Sequence, residues 1–520
     1  MPEASEIIKL MPEHTREDAA LVTKAYNFSK KAHENHKRYS GENYFLHTFA
    51  TAKKLAELGM GAKTIAAGFL HDTIEDAEVK PETLEKEFGK DVLFLVEGVT
   101  KLGTLKYWGA SHRTESLRRL FLAMAKDLRV LIIKLCDRLH NMQTLEHVPK
   151  EKQKRIAMET MEIYASLAYR LGIRALYREL EDLSFYYNQP EDYRKVKELL
   201  KQKNKENEAN LQKISKEIKK ALGKEGMTRV TMEYLLKHLW SLYSKLKRKE
   251  MDINKIYDIS ALRIIVPTVS DCYRALGIIH GIWRPLPGRI KDYIALPKTN
   301  GYQSIHTTIF TGDGGIVEIQ IRTDKMNRES EFGVAAHLSY KERNPKGSHE
   351  KQNQVWLKRI LPNFAAASLS RYAEEDSKTE ERTDKVPKWI RELAESQTDS
   401  LDPEQFMQEL RSDFFGHRVF VFTPKGEVVD LPTDSSTIDF AYAIHSDIGN
   451  RLSGAKVNGK MVSLETKLQN GDIVEILTRK NMKPSAKWLE HAKTSVARRH
   501  IRNSLEKGEN PWSGSKSKSS

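Results

Sequence analysis

Apolar side chains recur every three or four positions through most of residues 15–190, as in the run Leu131, Leu135 and Leu139. This spacing places them along one face of an α-helix, and few alternating β-branched stretches interrupt the pattern. Glycines at intervals mark the turns between successive helices. Residues 1–190 are therefore predicted to form an all-α domain.

The apolar period shortens to two in the next part of the chain. In the run 316–322 every second side chain is apolar, which predicts a strand, and 259–266 is a second predicted strand. A helix is predicted over 271–280, and a lysine-rich helical connector over 191–224 precedes all three. Residues 191–345 are therefore predicted to form an α+β domain.

The remainder of the chain divides by composition. Residues 346–412 are polar, which predicts a linker. Residues 413–478 contain short strands, a turn at Pro424–Gly426 and a helix over 438–445, which together predict a small β-grasp module. Residues 479–520 are predicted to be a basic tail that begins as a helix.

Composition narrows the class of protein. No run of 18 apolar residues exists and the N-terminus lacks the features of a signal peptide, so we expect neither a membrane span nor export. Two cysteines in 520 residues do not make a disulfide framework, which favours a cytoplasmic protein. The net charge of +15 indicates either phosphate-rich partners or lysine-rich helix faces in water.

The first candidate site consists of polar residues embedded in apolar helices. Imidazole and carboxylate groups can bind one divalent cation and leave positions open for water or phosphate: His47, His71, Asp72 and Asp137. Glu75 and Asp76 stand four residues beyond His71 and Asp72, which places them one turn later on the same predicted helix. The set predicts a metal phosphohydrolase; a solvated acidic helix face is the alternative.

The second candidate site combines carboxylates with many cations. Asp258 and Glu318 offer the oxygen ligands that Mg²⁺ prefers. Basic groups surround them in sequence and suit polyphosphates: Lys237, Lys245, Arg263, Arg289, Lys291, Lys298 and His306. Tyr302 suits stacking on a base, although a tyrosine after glycine is also typical of a turn with a packed ring.

Residues 30–190 resemble the hydrolase domain of the Rel/Spo family, the bacterial enzymes that make and degrade the alarmone (p)ppGpp. The motifs that carry the resemblance include His71-Asp-Thr-Ile-Glu-Asp76 and Asp137-Arg-Leu-His-Asn141. The resemblance implies that His47, His71, Asp72 and Asp137 bind Mn²⁺. It also implies that Glu75 and Asp76 act in release of the 3′-pyrophosphate, and that Arg38 and Asn141 contact the nucleotide. Three positions depart from the family pattern: Tyr39, Asn43 and Thr48.

Residues of about 225–345 resemble the nucleotidyltransferase-like (p)ppGpp synthetase domain of the same family, through Tyr257–Arg263, Asn300–His306 and Glu318–Thr323. This implies transfer of pyrophosphate from ATP to the 3′-hydroxyl of GDP or GTP. Asp258 would hold Mg²⁺, Glu318 would help to hold it or activate the hydroxyl, and Tyr302 would stack on guanine. The remaining nucleotide contacts implied are Asn300, Gln303, His306, Lys237, Lys245, Arg263, Arg289, Lys291 and Lys298.

One departure concerns ATP. The family usually has an arginine that packs on adenine two residues before the lysine matching Lys237, and here that position is Leu235. Leucine cannot make the cation–π contact, worth roughly 0.5–2 kcal/mol. The basic segment Arg289–Asp292 is typical of Mg²⁺-dependent bifunctional members.

Residues 413–478 resemble the TGS module of long family members, in which the histidine matching His445 contacts uncharged tRNA on the ribosome. A histidine that caps a helix end is an equally good interpretation of His445. The sequence after residue 502 does not match the further domains of long relatives, so we expect a short form. Three hypotheses follow: a bifunctional alarmone synthetase/hydrolase, a hydrolase with a weakened synthetase, and a ribosome- or tRNA-binding regulator.

Overall fold

The computed structural model describes residues 2–103, 127–253, 256, 259–298, 301–311, 315–336, 338, 418–469 and 471–509. These residues belong to two compact units, one before and one after the predicted linker over 346–412, which lies outside the described residues. No helix among the described residues is both long and apolar enough to cross a membrane.

The N-terminal domain is helical, as predicted. Its α-helices are α1 Ala4–Leu10, α2 Arg16–Ala32, α3 Phe45–Glu57, α4 Ala62–Leu70, α5 Pro81–Phe88, α6 Lys90–Gly103, α7 Leu128–Gln143, α8 Lys150–Glu159, α9 Ser166–Arg170 and α10 Arg174–Asn188. A short 3₁₀ helix, Leu145–His147, follows α7, and a π-helix, Thr160–Ala165, joins α8 to α9.

Helix α4 is the centre of this domain. All its residues except Lys63 are buried, because α2, α3, α6 and α7 pack around it. A Cβ atom on Gly68 would lie 2.4 Å from Leu55 Cδ1, so α3 and α4 approach as closely as a glycine allows. This close contact brings His47 of α3 next to His71 at the end of α4.

The second domain of the first unit is α+β, as predicted. Its elements are α11 Pro190–Lys224, β1 Thr231–Leu236, α12 Leu239–Arg248, β2 Ser260–Val266, α13 Val269–Ile282, β3 Lys291–Asp292, β4 Ile305–Phe310, β5 Ile316–Thr323 and α14 Asp324–Phe332. The strands form one sheet in the order β1-β2-β5-β4-β3, in which only β2 and β5 are parallel.

The two faces of this sheet differ in chemistry. One face packs on α11 and α13, and the lysine-rich connector α11 contributes an apolar stripe that includes Leu211, Ile214 and Ile218. The opposite face is polar, yet Gln320 and Arg322 of β5 are buried there as well. Side chains therefore alternate along β5 between an apolar core on one face and a polar site on the other. The polar face is covered by protein and does not face water.

The helical and α+β domains meet just after α14. The Val334 amide donates to the Leu171 carbonyl at 2.9 Å. Gly333 has φ +51°, and a Cβ atom there would lie 2.2 Å from the Leu171 carbonyl oxygen. Helix α10 also packs against α12 and α14, so the helical domain contributes directly to the surroundings of the second candidate site.

The second unit has the predicted strands and helix. Its elements are β6 Arg418–Phe422, β7 Val428–Pro432, α15 Thr437–Ile444, α16 Ser446–Asn450, β8 Leu452–Val457, β9 Lys460–Val462, β10 Val474–Thr478, α17 Trp488–His491 and α18 Ser495–Glu509. Strands β10, β8 and β9 form one sheet in that order, β6 and β7 form another, and a parallel bridge from Phe422 to Ile473 joins them.

The basic segment begins with helices, in agreement with the prediction, but α17 and α18 pack against the β-grasp module and do not form a separate tail. Trp488 of α17 and Ile501 of α18 are buried in one apolar cluster with Ile438 and Tyr442 of α15. The basic residues of this stretch dominate its composition, but a few apolar residues at helical spacing are enough to dock α18. Residues 510–520, the end of the predicted tail, lie outside the described residues.

Asp439 holds this docking in place. Its buried carboxylate accepts hydrogen bonds from the amides of Ser436 at 2.8 Å, Lys493 at 2.9 Å and Thr494 at 2.8 Å. We expect Asp439→Ala to destabilise this unit by about 3 kcal/mol, because buried amides lose their acceptor. Hydrogen exchange at the Lys493 and Thr494 amides should accelerate strongly, and less so in Asp439→Asn. Unchanged exchange would contradict this role.

Candidate active sites

The predicted metal ligands of the first site converge. His47 Nε2 lies 3.4 Å from Asp72 Oδ2 and 3.3 Å from Asp137 Oδ1. His71 Nε2 lies 3.0 Å from Asp72 Oδ2 and 3.9 Å from Asp137 Oδ1. Ligand atoms of His47, His71 and Asp137 lie within 4.8 Å of one another, and all three residues are buried.

This donor set fits a metal ion. His71 Nδ1 donates to the Gly68 carbonyl at 2.8 Å, which leaves Nε2 facing the carboxylates. That Nε2 atom is buried and lies 3.0 Å from Asp72 Oδ2. A cation bound between this nitrogen and the carboxylates would satisfy the lone pairs of both kinds of group in a site closed to water.

The charges of the site also favour a cation. Burial alone would raise the pKa of Asp137, but Lys134 and the imidazoles of His47 and His71 hold that pKa well below its usual range. Burial favours the neutral form of His71, yet Asp72 and Asp137 raise its pKa to about 9. The two carboxylates therefore attract positive charge to this point, as a proton or as a metal ion.

Glu75 and Asp76 are close to this site but not on a helix. Helix α4 ends at Leu70, and residues 71–76 form turns in which the Asp76 amide donates to the Asp72 carbonyl at 2.8 Å. The prediction of a continuous helix here is therefore wrong, although this one hydrogen bond still joins residues four apart, as in a helix. Glu75 reaches solvent, and partial desolvation together with Asp72 and Asp76 raises its pKa.

Arg38 and Asn141, the predicted nucleotide contacts, lie beside the ligands. The Arg38 guanidinium donates to the Asn141 side-chain carbonyl, and the Asn141 amide donates to Asp137 Oδ1 at 2.6 Å. Arg38 Nη1 also lies 2.8 Å from His140 Nδ1. Hydrogen bonds thus link both predicted contacts to Asp137, a predicted metal ligand.

Sequence reasoning missed three residues of this site. Tyr44 donates its hydroxyl to Asp72 Oδ2 at 2.9 Å, and Lys134 Nζ lies 2.7 Å from Asp137 Oδ2. His140 Nδ1 lies 2.9 Å from His47 Nδ1. Each of the three stands three residues from a predicted ligand, a spacing that places it on nearly the same side of a helix.

The second site is centred on Glu318 of β5. Its Oε1 atom lies 3.0 Å from His306 Nδ1 and accepts from Gln320 Nε2 at 3.1 Å. His306 Nε2 in turn lies 2.7 Å from the Tyr302 hydroxyl. Arg322, which sequence analysis did not single out, donates to the same hydroxyl at 2.8 Å.

The predicted cations of the second site fall into distinct environments. Lys298 Nζ lies 4.7 Å from the ring centre of Tyr293 and 5.2 Å from that of Tyr302, whereas Lys291 is exposed opposite His306. Of the other four predicted residues, Lys245 lies on a helix and three lie in the loops between elements. Lys237 follows β1, Lys245 is on α12, Arg289 is exposed before β3, and Gln303 donates to the Ile294 carbonyl at 3.3 Å.

Arg263, a predicted phosphate contact, already pairs with two carboxylates. It is buried, and its guanidinium pairs with Glu233 and Glu331, each at 3.0 Å. A phosphate would have to compete with both carboxylates, so the predicted role stays a prediction. Asp258 and Asn300 lie outside the described residues.

Helix α10 of the helical domain borders the second site. Arg174, its first residue, hydrogen-bonds to the Tyr302 side chain. Glu181 lies 2.8 Å from His238, and Asp182 accepts from the Leu239 and Trp240 amides at the start of α12. The helix that carries Lys245 is therefore held in place by a helix of the other domain.

Lys298 should make nucleotide binding at the second site depend on pH. Burial, with Lys291, Arg174 and Lys245 nearby and Glu318 opposing them, lowers its pKa to about 8. The ammonium is therefore largely lost between pH 7 and 9, and we expect nucleotide KM in synthesis to rise about tenfold over this range. Lys298→Arg, which stays charged, should show a flatter profile. Equal slopes for both proteins would contradict this assignment.

His445 caps a helix. Its Nδ1 atom accepts from the Asp447 amide at 3.1 Å at the start of α16. This agrees with the helix-capping interpretation, while the ring remains partly accessible with 43% of its side chain exposed. Contact with tRNA stays a prediction.

Comparison with known proteins identifies three regions of the chain. Residues 25–174 match the HD domain, 235–345 match the region found in RelA / SpoT proteins, and 419–478 match the TGS domain. These matches cover both candidate sites and the β-grasp module in the order predicted.

Three curated relatives resemble almost the whole chain. The guanosine-3′,5′-bis(diphosphate) 3′-pyrophosphohydrolase of Aquifex aeolicus is 43% identical over 97% of this chain and 66% of its own length. The GTP pyrophosphokinase of Myxococcus xanthus is 42% identical over 94% and 61%. The bifunctional (p)ppGpp synthase/hydrolase RelA of Mycobacterium tuberculosis is 40% identical over 94% and 63%. The chain thus spans less than two thirds of the length of these relatives. Because 94% or more of its own residues align with each of them, it belongs to the RelA/SpoT family.

Proposed function

We propose that this chain both degrades and makes (p)ppGpp, using the first site to release pyrophosphate from ppGpp or pppGpp and the second to transfer pyrophosphate from ATP to GDP or GTP. The observation that carries the proposal is the buried set His47, His71 and Asp137, with ligand atoms within 4.8 Å of one another. The names of the relatives, which include a hydrolase, a kinase and a bifunctional enzyme, support both activities.

The two sites call for different metals. Two imidazoles with the carboxylates of Asp72 and Asp137 form a mixed nitrogen and oxygen set, which we assign to Mn²⁺. Asp258 and Glu318 would offer only oxygen, which we assign to Mg²⁺. Both assignments rest on donor chemistry together with family resemblance.

In the hydrolase site, the bound ion would supply an acidic water molecule and neutralise charge at phosphorus. Glu75 is the residue we assign to accept the proton of that water, because its raised pKa brings it closer to neutral pH. Asp76 would orient the same water from the adjacent position. Arg38 and Asn141 would hold the nucleotide. The water oxygen would bond to the phosphorus next to the ribose as the bond from that phosphorus to the 3′-oxygen breaks. The 3′-oxygen would take up the proton that Glu75 had accepted and leave as a hydroxyl, which releases pyrophosphate.

In the synthetase site, Glu318 would accept the proton of the 3′-hydroxyl while that oxygen bonds to the β-phosphorus of ATP. The bond from this phosphorus to the oxygen shared with the α-phosphate breaks, and AMP leaves. His306 holds Glu318 at 3.0 Å, which orients the carboxylate. Tyr302 would stack on guanine, and Lys298 would hold a phosphate.

A hydrolase with a weakened synthetase is the second candidate. Leu235 of β1 pairs with Ala261 of β2. It stands at the position where the family usually has an arginine that packs on adenine. Arg263 is also neutralised by Glu233 and Glu331. A cytoplasmic regulator that binds the ribosome or uncharged tRNA through His445 is a third candidate, supported by the accessible ring of that histidine.

Two opposed reactions on one chain would consume ATP without net product if both ran together. We therefore propose mutual antagonism between the domains, with the helical connector α11 as one candidate relay. Contacts of α10 with Tyr302 and with the start of α12 support α10 as a more direct route. A nucleotide bound in one site should then change the rate at the other.

One pair of assays separates the three candidates. The protein is incubated with ATP, GDP and Mg²⁺, and separately with ppGpp and Mn²⁺, and products are followed by anion-exchange chromatography. Product in both mixtures is the expected result. Degradation without synthesis would favour the second candidate. No product in either mixture would favour the third candidate, the ribosome- or tRNA-binding regulator.

A further inference from the structure

His140 contacts two residues of the hydrolase site through one nitrogen atom. Its Nδ1 lies 2.8 Å from Arg38 Nη1 and 2.9 Å from His47 Nδ1. A guanidinium offers only N–H donors, so His140 Nδ1 must be the acceptor. The proton of the neutral His140 ring is therefore on Nε2.

This assignment determines the form of His47. Because His140 Nδ1 accepts, His47 Nδ1 must donate and so carries the proton of its ring. His47 Nε2 is then the lone-pair nitrogen, and it faces Asp72 and Asp137 at 3.4 and 3.3 Å. His140 thus does for His47 what the Gly68 carbonyl does for His71 at 2.8 Å.

The acceptor is shared between two donors. An imidazole nitrogen has one lone pair in the ring plane, so Arg38 and His47 compete for it. A nucleotide phosphate that draws Arg38 away would leave this lone pair to His47 alone. The hydrogen bond that orients His47 would then strengthen.

We propose that His140 is a positioning residue of the hydrolase site, which orients the metal ligand His47 and couples contact at Arg38 to metal affinity. The inference rests on the proposed function and adds to it a residue that acts through Arg38 and His47. Coupling of this kind is reciprocal, so a bound metal would also favour release of Arg38 toward a nucleotide.

The test measures Mn²⁺ affinity without nucleotide, from the electron paramagnetic resonance signal of free Mn²⁺. His140→Leu removes the acceptor and should weaken binding about 10- to 100-fold, the usual effect of losing a partner of a metal-binding histidine. His140→Asn places an amide oxygen near the position of Nδ1 and should restore most of the affinity. Equal affinity in wild type and His140→Leu would overturn the inference.

Kinetics distinguish positioning from a general structural defect. At saturating Mn²⁺ we expect His140→Leu to recover most of the wild-type kcat, while its Mn²⁺ requirement rises. A kcat that stays low at every Mn²⁺ concentration, with an unchanged requirement, would contradict positioning. Matching thermal unfolding curves for wild type, His140→Leu and His140→Asn would show that each variant folds.

The coupling to Arg38 is tested by a double-mutant cycle. Arg38→Ala frees the lone pair for His47, and it should tighten Mn²⁺ binding about 2- to 10-fold more when His140 is present than in His140→Leu. Equal effects in both backgrounds would refute the coupling. Failure of wild type to bind Mn²⁺ at all would instead refute the proposed hydrolase function.

Discussion

Asp72→Ala should abolish ppGpp degradation while leaving pyrophosphate transfer from ATP measurable. The substitution removes a carboxylate that lies 3.4 Å from His47 Nε2 and 3.0 Å from His71 Nε2. A metal ion supplies several kcal/mol of transition-state stabilisation, so its loss should lower kcat/KM by about 10³-fold or more. Release of pyrophosphate from ppGpp is the measurement.

A matched control removes the same charge elsewhere in the helical domain. Asp91 is exposed and lies 2.5 Å from Lys63, so Asp91→Ala tests the loss of a surface carboxylate. It should degrade ppGpp like wild type, since exposed ion pairs contribute little to stability. Substantial hydrolysis by Asp72→Ala at any Mn²⁺ concentration would rule out the proposed ligand set.

Glu318→Gln should have the opposite pattern. The amide keeps the shape of the side chain but neither accepts a proton nor holds Mg²⁺ with a full charge. Synthesis should fall about 10²- to 10⁴-fold, the range for loss of a general base, while ppGpp degradation persists. The measurement is formation of AMP together with the guanosine polyphosphate.

Glu206→Gln is the control for this variant, because Glu206 forms an exposed pair with Lys203 on α11 at 3.0 Å. Its synthesis should match that of wild type. If Glu318→Gln kept full synthesis, the second site would not act as proposed. If it lost degradation as well, the two sites would be less separate than the proposal requires.

Periodicity in the sequence was enough to predict most helices and strands but not how far each extends. Asp137 and Asn141, four residues apart, stand on one face of α7, as helical periodicity requires. The same spacing between His71 and Glu75 did not predict a helix correctly, because the chain turns after Leu70. A turn that begins inside an apolar helix leaves no clear break in the hydrophobic pattern.

Burial was the property least accessible from sequence. Arg322 of β5 is fully buried, although strand alternation placed it on the polar face. That face is covered because α14 brings Glu331 over Arg263 and α10 brings Arg174 to Tyr302. These contacts join residues more than sixty positions apart in sequence, so no local pattern records them.

Gly333 lies so close to the helical domain that even its replacement by alanine would move neighbouring elements. Any side chain there would press on the Leu171 carbonyl and push α14 off the helical domain, and α14 carries the carboxylate that pairs with Arg263. One added methyl group would thus separate α14 from the helical domain. If the proposed antagonism is relayed through this contact, Gly333→Ala should weaken it while leaving the side chains of both candidate sites unchanged.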